Sequence, residues 1–519
     1  MSRLTDYTSY ADAQRHYSPD ALWALFDGTR ERFNIAHECV DRHAGTGATA
    51  LRIAHADGRD EIVSFDDLAA LSSRFAHWLA AEGVARGDRV AVMLEPTAAF
   101  YGAIFGAIKS GAVAVPMFTL FGPDGIRLRA DDCTPAVLFT NAEKAADARE
   151  AGNTRVVVVD DAFLAALAGL PDSYECDTHG DDLAVLQYTS GTTRLLPAAV
   201  KHSQRSLVTL MVAALYATGI RPGDRFFCPS SPAWGHGLWH GTLAPLAMGV
   251  GTGTFSGRFD PVRLLKALQD FRITNLSAAA THYRMMRNSG QAEAFSYCFE
   301  KLSFTGEPID TETARYIAAL FGTEVRSMYG TTEIGVILAN YPGATDLEVR
   351  EGSLGKPVPG VEVMVQDAAG APARPGVTGE LMVKKRGEWF PTKDLGRIDE
   401  DGYFYHAGRA DDVIISAGWT MSAVEIEDAI LKHPKVAEAA AIGVPDPVRG
   451  QVVKAFVVLK DAAHAELAGE IQDLVRDSLS RHEYPRHVAF VDALPKTPAG
   501  KVNRKVLRDR EKAAADAVA

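Results

Sequence analysis

Short apolar runs alternate with amphipathic helical segments through the first two-thirds of this sequence, and this alternation constrains the fold most. "SFDDLAALSSRFAHWLAAEG" has apolar residues at helical spacing and ends at Gly83. The strand-like run "DRVAVML", the small-residue helix "TAAFYGAIFGAIKSG" and a second strand-like run, "AVAVPMF", follow it. Such alternation favours parallel sheets covered by helices. We therefore predict an α/β fold.

The pattern changes after about Gly352. "GVEVMVQDAAGAPARPGVTGELMVKK" contains two alternating strands around a Gly/Pro-rich turn, which predicts a hairpin. Beyond "GRADD" the pattern is a compact mixture of helices and strands. We predict a large domain of residues 1–409, built from parallel and mixed sheets with a β-rich subdomain. Residues 410–519 are predicted to form a small, mobile α+β domain.

Charge and composition exclude several classes of protein. The chain has 519 residues and a net charge of −12, which gives it no general affinity for nucleic acid or anionic membranes. No signal peptide or membrane span is evident, so we expect a cytoplasmic protein. The five cysteines are scattered without C-x-x-C spacing, and we expect buried free thiols.

The stretch "QYTSGTTRLLPAAVKHSQRS" has the composition of a phosphate-binding loop. Such a loop needs inward N–H groups, small residues and hydroxyls. The loop follows the strand-like "LAVLQY" and precedes the helical "SLVTLMVAAL". It does not match the G-x-x-x-x-G-K-[ST] pattern of a Walker A loop. Taken alone, such a stretch is more commonly an ordinary surface loop.

Five further motifs follow in order: "SFTGEPID", "SMYGTTEIG", "TKDLG", "GRADD" and "PKTPAGKVNRK". With "YTSGTT", they resemble the ANL superfamily of adenylate-forming enzymes over nearly the whole chain. Among these the sequence is most similar to AMP-forming acyl-CoA synthetases of the medium-chain or aryl type. The resemblance implies that the chain uses ATP, Mg²⁺ and CoA.

The resemblance also implies which residues bind the nucleotide. The implied contacts are Thr189, Ser190, Gly191, Thr192 and Thr193 for the β- and γ-phosphates, Gly306, Glu307, Pro308, Tyr329 and Gly330 for the adenine side, and Asp394 and Arg409 for the ribose.

Three residues are implied to act in catalysis. Thr332 would bond the α-phosphate, Glu333 would hold Mg²⁺, and Lys501 would bridge ribose, α-phosphate and carboxylate. Each has a plainer interpretation when taken alone. An acid can stabilise a helix N-terminus, and most lysines are solvated surface residues.

The second half-reaction is implied to use another face of the C-terminal domain. The resemblance makes Asp411 the hinge about which this domain rotates. It also places Gly418 and Trp419 beside the tunnel for the CoA thiol arm. A glycine permits the close backbone approach that such a tunnel needs.

The acyl pocket is implied by the segment "SSPAWGHGLWHGTLAPL", with Trp234, His236 and Trp239 as candidate wall residues. His236 is interpreted as a gate, whereas Trp239 is equally compatible with ordinary packing. Acetate-specific relatives carry tryptophan where this chain has Gly330. We therefore expect a larger acid: medium-chain, branched, alicyclic or aromatic.

The phosphate loop departs from the family pattern. Arg194 stands where a glycine is usual, and the lysine after the proline is missing. An arginine fork could bind phosphate in its place, as could Lys201. The alternative is a solvated Arg194 in an exposed loop.

The favoured hypothesis is an acyl-CoA synthetase that converts an acid, ATP and CoA into acyl-CoA, AMP and pyrophosphate. One alternative is an adenylating enzyme that loads a carrier protein, and another is a non-catalytic nucleotide- or acyl-binding homologue. The expected partners are small molecules without nucleic acid, and a homodimer is left open.

Overall fold

The computed structural model describes most of the chain in two compact units. Unit 1 is Met1–Glu351 with Pro357–Gly360, and unit 2 is Gly352–Lys356 with Val361–Ala519. In the part of the chain that is described, no helix is both long and apolar enough to cross a membrane. The described residues are 3–188, 199–306, 308–331, 334–385, 387–409, 414–416, 419–421, 423–446, 450–460, 462, 466–478, 484–497 and 501–516.

Unit 1 contains strands and helices in alternation. Its strands are β1 (Thr49–His55), β2 (Asp60–Ser64), β3 (Arg89–Met93), β4 (Val113–Pro116), β5 (Val137–Thr140), β6 (Val156–Val158), β7 (Leu183–Tyr188), β8 (Ala199–Ser203), β9 (Phe226–Phe227), β10 (Thr252–Ser256), β11 (Asn275–Ala279), β12 (Lys301–Thr305), β13 (Val325–Thr331) and β14 (Gly335–Ala339).

The helices of unit 1 cover these strands. They are α1 (Tyr10–His16), α2 (Pro19–Trp23), α3 (Ile35–Cys39), α4 (Phe65–Ala81), α5 (Ala98–Lys109), α6 (Pro123–Cys133), α7 (Ala145–Glu150), α8 (Asp161–Leu167), α9 (Ser206–Tyr216), α10 (Ala244–Ala247), α11 (Pro261–Asp270), α12 (Ala280–Asn288) and α13 (Thr311–Phe321). Single 3₁₀ turns occur at Leu4–Asp6, Asp41–His43 and Ala292–Ala294, and a π-helix spans His236–Leu243.

The strands of unit 1 belong to two sheets. The first has the order β6-β5-β3-β4-β7-β8, parallel except for β8, which runs antiparallel to β7. In the second, the strands of unit 1 have the order β14-β13-β12-β11-β9-β10-β1-β2; β14 runs antiparallel to β13 and β2 to β1, and the strands between are parallel. Buried apolar residues of β11, β12, α11 and α12 form one core. The predicted α/β class is confirmed.

Helices α4 and α5 show how the sequence specifies packing. Ser64 caps α4, because its side chain accepts the Asp67 N–H while Asp67 bonds back to Ser64. Gly106 lets α5 approach α4 closely, since a Cβ there would lie 2.4 Å from Phe75 Cβ and 2.8 Å from Ser72 O. The glycines of the small-residue helix therefore serve helix packing.

Unit 2 begins with antiparallel strands and ends with a mixed α+β arrangement, as predicted. Its elements are β15 (Ser353–Pro357), β16 (Val363–Gln366), β17 (Gly379–Lys385), β18 (Glu388–Ile398), β19 (Phe404–Arg409), β20 (Ile414–Ser416), β21 (Trp419–Met421), α14 (Ala423–Leu431), β22 (Val436–Asp446), β23 (Gly450–Leu459), α15 (Leu467–Ser478), β24 (His487–Phe490) and α16 (Arg504–Asp516).

Strands β16 to β19 and β15 form one antiparallel array, in which β16 and β17 make the predicted hairpin. Strands β20 and β21 pair with each other, and β22, β23 and β24 form a three-stranded sheet. Apolar residues of α14, α15, β22 and β23 make the core beneath that sheet. The predicted division at 409/410 stays a prediction, because Asp411 lies outside the described residues.

All five cysteines are free thiols. Cys39, Cys133 and Cys228 are buried, Cys176 is half-buried, and Cys298 is exposed, contrary to the expectation of burial. Burial raises the pKa of the Cys228 thiol to about 12, so this thiol stays protonated at neutral pH.

Candidate active site

The candidate phosphate loop joins two antiparallel strands of the first sheet. It leaves β7 after Tyr188 and returns as β8, which pairs Gln187 with Val200. A strand, and not the predicted helix, therefore follows the loop directly, and α9 begins only at Ser206. The polar "AVKHS" resembles a loop in sequence but forms an edge strand, which needs a partner on one side only. The candidate residues Thr189, Ser190, Gly191, Thr192, Thr193 and Arg194 lie outside the described residues.

The strand that leads into this loop is held at its end by a polar cluster. Tyr188 donates its hydroxyl hydrogen to Asp132, 2.6 Å away. The Arg129 guanidinium lies 3.8 Å from the centre of the Phe121 ring and 5.6 Å from that of Tyr188. Burial and the Asp132 carboxylate raise the pKa of Tyr188, so its hydroxyl remains a donor. These contacts fix the position from which the loop starts.

The adenine-side motifs meet at the carboxyl ends of two neighbouring parallel strands. Phe304 of β12 pairs with Ser327 of β13. Gly306 and Tyr329 each lie two residues further along, so the register brings them level at one edge of the sheet. Open α/β sheets bind ligands at this edge. Tyr329 is half-buried and Pro308 is exposed, whereas Glu307 lies outside the described residues.

Backbone geometry requires glycine at both Gly306 and Gly330. Gly306 has φ +98°, a conformation that side chains disfavour. A Cβ at Gly330 would lie 2.0 Å from Gly335 O and 2.7 Å from Val336 Cα. In this structure the close approach of β14 therefore leaves no room for a Cβ at Gly330. Thr332 and Glu333, which stand between β13 and β14 in the sequence, lie outside the described residues.

The candidate ribose ligand Asp394 is buried within unit 2, with 5% of its surface exposed. It pairs through its backbone with Arg409, whose side chain is not among those described. His406 Nε2 lies 3.8 Å from Asp394 Oδ1. Lys393 precedes it at φ +63°, an uncommon conformation for a residue with a side chain. Sequence reasoning missed Lys393 and His406.

Lys501 is exposed and lies at the end of a closed turn in unit 2. Thr497 N–H donates to Lys501 O at 2.7 Å, and Lys501 N–H donates to Thr497 Oγ1 at 3.3 Å. An isolated antiparallel bridge joins Lys496 to Val502. These contacts hold the backbone of Lys501 against Thr497 and that of Val502 against Lys496. Of the other candidates in unit 2, Asp411 and Gly418 lie outside the described residues, and Trp419 is described only as part of β21.

His236 begins the π-helix in the candidate acyl-pocket segment, and both of its ring nitrogens are bonded. Nδ1 lies 2.9 Å from Ser230 Oγ, and Nε2 lies 2.9 Å from Ser277 Oγ on β11. The ring is buried, with 4% of the residue exposed. These two hydrogen bonds hold the His236 ring in one orientation. Such a ring is better suited to a fixed wall of the pocket than to a moving gate. π-helical turns often mark functional sites.

The two candidate tryptophans have different surroundings. Trp234 is half-buried, with its ring centre 5.4 Å from that of His236. Trp239 is buried and donates its indole N–H to Gln187 Oε1 at 2.8 Å. Gln187 is the second-last residue of β7, so Trp239 contacts the strand that leads into the phosphate loop.

Three further histidines belong to this region: His240 lies within the segment, His202 packs against Trp239, and His282 lies near His236. Burial lowers the pKa of each to about 4, so all three are neutral near pH 7. Burial, with His240 and His282 nearby, also lowers the pKa of His236. Sequence reasoning missed this histidine cluster. The available signal was the i,i+4 spacing of His236 and His240, which places two side chains on one face of a helix.

The described residues contain no cluster of three or more histidine, cysteine or acidic side chains that could hold a metal. In nucleotide enzymes Mg²⁺ commonly takes only one or two protein carboxylates together with substrate phosphates. The expected carboxylate, Glu333, lies beyond what the structure describes.

Comparisons with known proteins match two family models to this chain. A family model described as AMP-binding enzyme matches residues 40–388, and one described as AMP-binding enzyme C-terminal domain matches residues 425–501. The chain is 29% identical over 548 residues to an acetyl-coenzyme A synthetase of Bacillus subtilis, with 96% of this chain and 94% of that protein covered.

It is also 31% identical over 490 residues to 4-hydroxybutyrate–CoA ligase 1 of Metallosphaera sedula, with 88% and 86% covered. The crystal structure of an acyl-CoA synthetase from Brucella canis is similar, with a TM-score of 0.76, 32% identity and coverage of 98% and 99%.

The chain therefore belongs to the family of AMP-binding enzymes. Within this family it is an acyl-CoA synthetase, an AMP-forming acid–thiol ligase. Its small-molecule partners are a carboxylic acid, ATP with Mg²⁺, and CoA.

Proposed function

We propose that this enzyme activates a medium-sized carboxylic acid (medium-chain, branched, alicyclic or aromatic) in preference to acetate. One observation carries the proposal: the candidate acyl wall is uncharged. Residues 228–246 contain no Lys, Arg, Asp or Glu. The two histidines of this segment, His236 and His240, are held neutral by burial. Such a wall suits an acid whose only charge is its carboxylate, because a second charge would find no partner there.

The similar proteins do not choose the acid. One is named for acetate and another for 4-hydroxybutyrate. The shared part of the proposal is the reaction. The uncharged wall of this chain favours an acid without a second charge, and the preference for an acid larger than acetate is the expectation from Gly330 in the sequence.

The proposed reaction proceeds in two steps. A carboxylate oxygen attacks the α-phosphorus of ATP, the bond from that phosphorus to the β-phosphate oxygen breaks, and pyrophosphate leaves. The CoA sulfur then attacks the acyl carbon, AMP leaves, and the thiol proton is released. No general base is needed in the first step, because a carboxylic acid is ionised near neutral pH.

The residues proposed for the first step neutralise negative charge. Lys501 places a positive charge between the acid and the α-phosphate, where charge builds in the transition state. Glu333 is proposed to hold Mg²⁺, which screens the phosphates when bound. Asp394 and Arg409 are proposed to hold the ribose, and Thr332 the α-phosphate. The loop Thr189–Thr193, with Arg194, is proposed to hold the β- and γ-phosphates.

For the second step we propose that residues 410–519 turn about Asp411. This rotation would withdraw Lys501 and present Gly418 and Trp419 to the CoA thiol arm. The cytoplasmic location is a prediction that cell fractionation checks. The oligomeric state is left open by the sequence, and sedimentation of the purified enzyme distinguishes a monomer from a homodimer.

A panel of acids tests the substrate. Acid-dependent ATP–pyrophosphate exchange is measured with acetate, butyrate, hexanoate, cyclohexanecarboxylate, benzoate and succinate, followed by AMP release with and without CoA. Each buried methylene is worth about 10- to 200-fold in kcat/KM, so we expect hexanoate or a cyclic acid to exceed acetate at least tenfold. A preference for acetate or succinate would contradict the proposed acid. Exchange without thioester formation would favour carrier-protein loading instead.

The second test separates the half-reactions. In Lys501→Ala we expect exchange to fall by about 100-fold or more, because a charge directed at the transition state is lost. Thioester formation from supplied acyl-adenylate should stay near the wild-type rate. Equal loss of both steps would contradict the role given to Lys501.

A further inference from the structure

The turn that carries Lys501 is tied to the rest of unit 2 by the helix that follows it. Asn503 N–H donates to Pro495 O at 2.7 Å and closes the base of the turn. Helix α16 starts at Arg504, three residues after Lys501. Any contact that fixes Arg504 therefore also limits where the Lys501 ammonium can go.

Arg504 makes a two-pronged ion pair with Glu427 of α14. Arg504 Nε donates to Glu427 Oε1 at 2.9 Å, and Nη2 donates to Oε2. Both side chains are largely buried, with 18% and 9% exposed. A forked pair of this kind fixes direction as well as distance, because two parallel hydrogen bonds prevent rotation.

Glu427 is itself held in place. Its Oε1 also accepts the Ala441 N–H of β22 at 2.7 Å. The helix that carries it, α14, begins at Ala423, directly after the β20–β21 hairpin. Glu427 thus connects three parts of unit 2: helix α14, strand β22 and the Lys501 turn.

We propose that Arg504 and Glu427 are a positioning pair that sets Lys501 for adenylation by locking its turn to helix α14. The inference rests on the proposed role of Lys501. If Lys501 has that role, the ion pair also joins the Lys501 turn and the β20–β21 hairpin before α14 into one rigid body. One rotation of the C-terminal domain then withdraws the Lys501 turn and presents the hairpin. Neither Arg504 nor Glu427 contacts substrate in this scheme.

The test compares Arg504→Met with a matched control. Lys454 and Glu511 form another partly buried pair, which joins β23 to α16 at 2.7 Å with 23% and 25% exposure. Lys454→Met removes that pair without touching the Lys501 turn. Both enzymes, with wild type and Lys501→Ala, are assayed for ATP–pyrophosphate exchange and for thioester formation from supplied acyl-adenylate.

In Arg504→Met we expect kcat for exchange to fall by about 10- to 100-fold, the loss typical of a catalytic group displaced by an ångström. KM for ATP and for the acid should stay within about twofold, and the thioester step within about threefold, because a positioning defect acts on one transition state. Arg504→Lys keeps the charge but loses the fork and should recover part of the rate. Lys454→Met should leave both steps within about twofold of wild type.

Equal loss of both half-reactions in Arg504→Met, or the same loss in Lys454→Met, would overturn the inference, because either indicates general loosening of the domain. If Arg504→Met does not fold, Glu427→Gln and Arg504→Lys decide, and each must lose exchange more than thioester formation. Lys501→Ala distinguishes failure of the positioning role of Arg504 and Glu427 from failure of the role proposed for Lys501. If Lys501→Ala loses exchange activity while the Arg504 variants retain that activity, only the positioning role of Arg504 and Glu427 is wrong. If it retains exchange, the proposed role of Lys501 fails and the inference fails with it.

Discussion

Replacing Ser277 with alanine removes the single hydroxyl that bonds to His236 Nε2. The two atoms lie 2.9 Å apart, and the residues are 0% and 4% exposed. The substitution leaves the backbone of β11 unchanged. The ring keeps its bond from Nδ1 to Ser230 Oγ, but no other described group is paired with Nε2.

The expected cost follows from burial and charge. A buried polar atom left without a partner destabilises a protein by about 1–3 kcal/mol. Burial keeps His236 neutral, so no charge is stranded and the lower half of that range applies. We expect Ser277→Ala to lower the free energy of unfolding by about 1–2 kcal/mol. We also expect a higher KM for the acid, because the ring can then turn.

Strand β12 offers a matched control. Ser303 is the register partner of Ser277 and is also fully buried, but its hydroxyl has no hydrogen-bond partner among the described groups. Ser303→Ala should therefore leave stability unchanged or raise it slightly. Urea unfolding near neutral pH, followed by tryptophan fluorescence, compares both variants with wild type. If the two serine variants agree within about 0.5 kcal/mol, the reasoning about His236 is wrong.

Two further predictions concern unit 1. Its neutral histidines His240 and His282 have pKa values of about 4, below the ordinary value near 6.5, so between these pH values the unfolded chain binds protons that the folded chain does not. The free energy of unfolding should be highest above about pH 6.5 and fall towards pH 4, by up to about 1.4 kcal/mol per pH unit for each histidine. In His240→Leu the urea midpoint should depend less steeply on pH, because one proton fewer is taken up on unfolding. Gly106→Ala should destabilise by about 1–3 kcal/mol, because its Cβ would lie 2.4 Å from Phe75 Cβ. In α6, where a Cβ at Gly125 would lie 3.5 Å or more from its neighbours, Gly125→Ala should instead gain about 0.5–1 kcal/mol. Equal effects of the two alanines on the thermal midpoint, or an unchanged pH slope in His240→Leu, would contradict these expectations.

Much of the fold could be predicted because its signals are local. The 3.6-residue period and the capping Ser64 specify α4, and the apolar run "RVAVM" specifies β3. Strand β8 was missed because "AVKHS" is polar, and it becomes a strand only by pairing with β7. The buried Asp394 and the exposed Lys501 were both named from their motifs, but the left-handed Lys393 beside Asp394 carries no sequence signal.

The ordered motifs alone indicated the family and, through that resemblance, the reaction, because each motif is a short run of neighbours in the chain. Contacts between residues far apart in the chain were decided only by the tertiary structure. His236 meets Ser277 across 41 residues, and Arg504 meets Glu427 across 77. Gly330 shows the difference most clearly. Its motif predicted an open acyl pocket, and the fold adds a close backbone approach by Gly335 that the motif did not indicate. Periodicity and motif order are properties of the chain, but the burial and close contacts that fix a histidine, a lysine turn or a glycine exist only after the strands have paired.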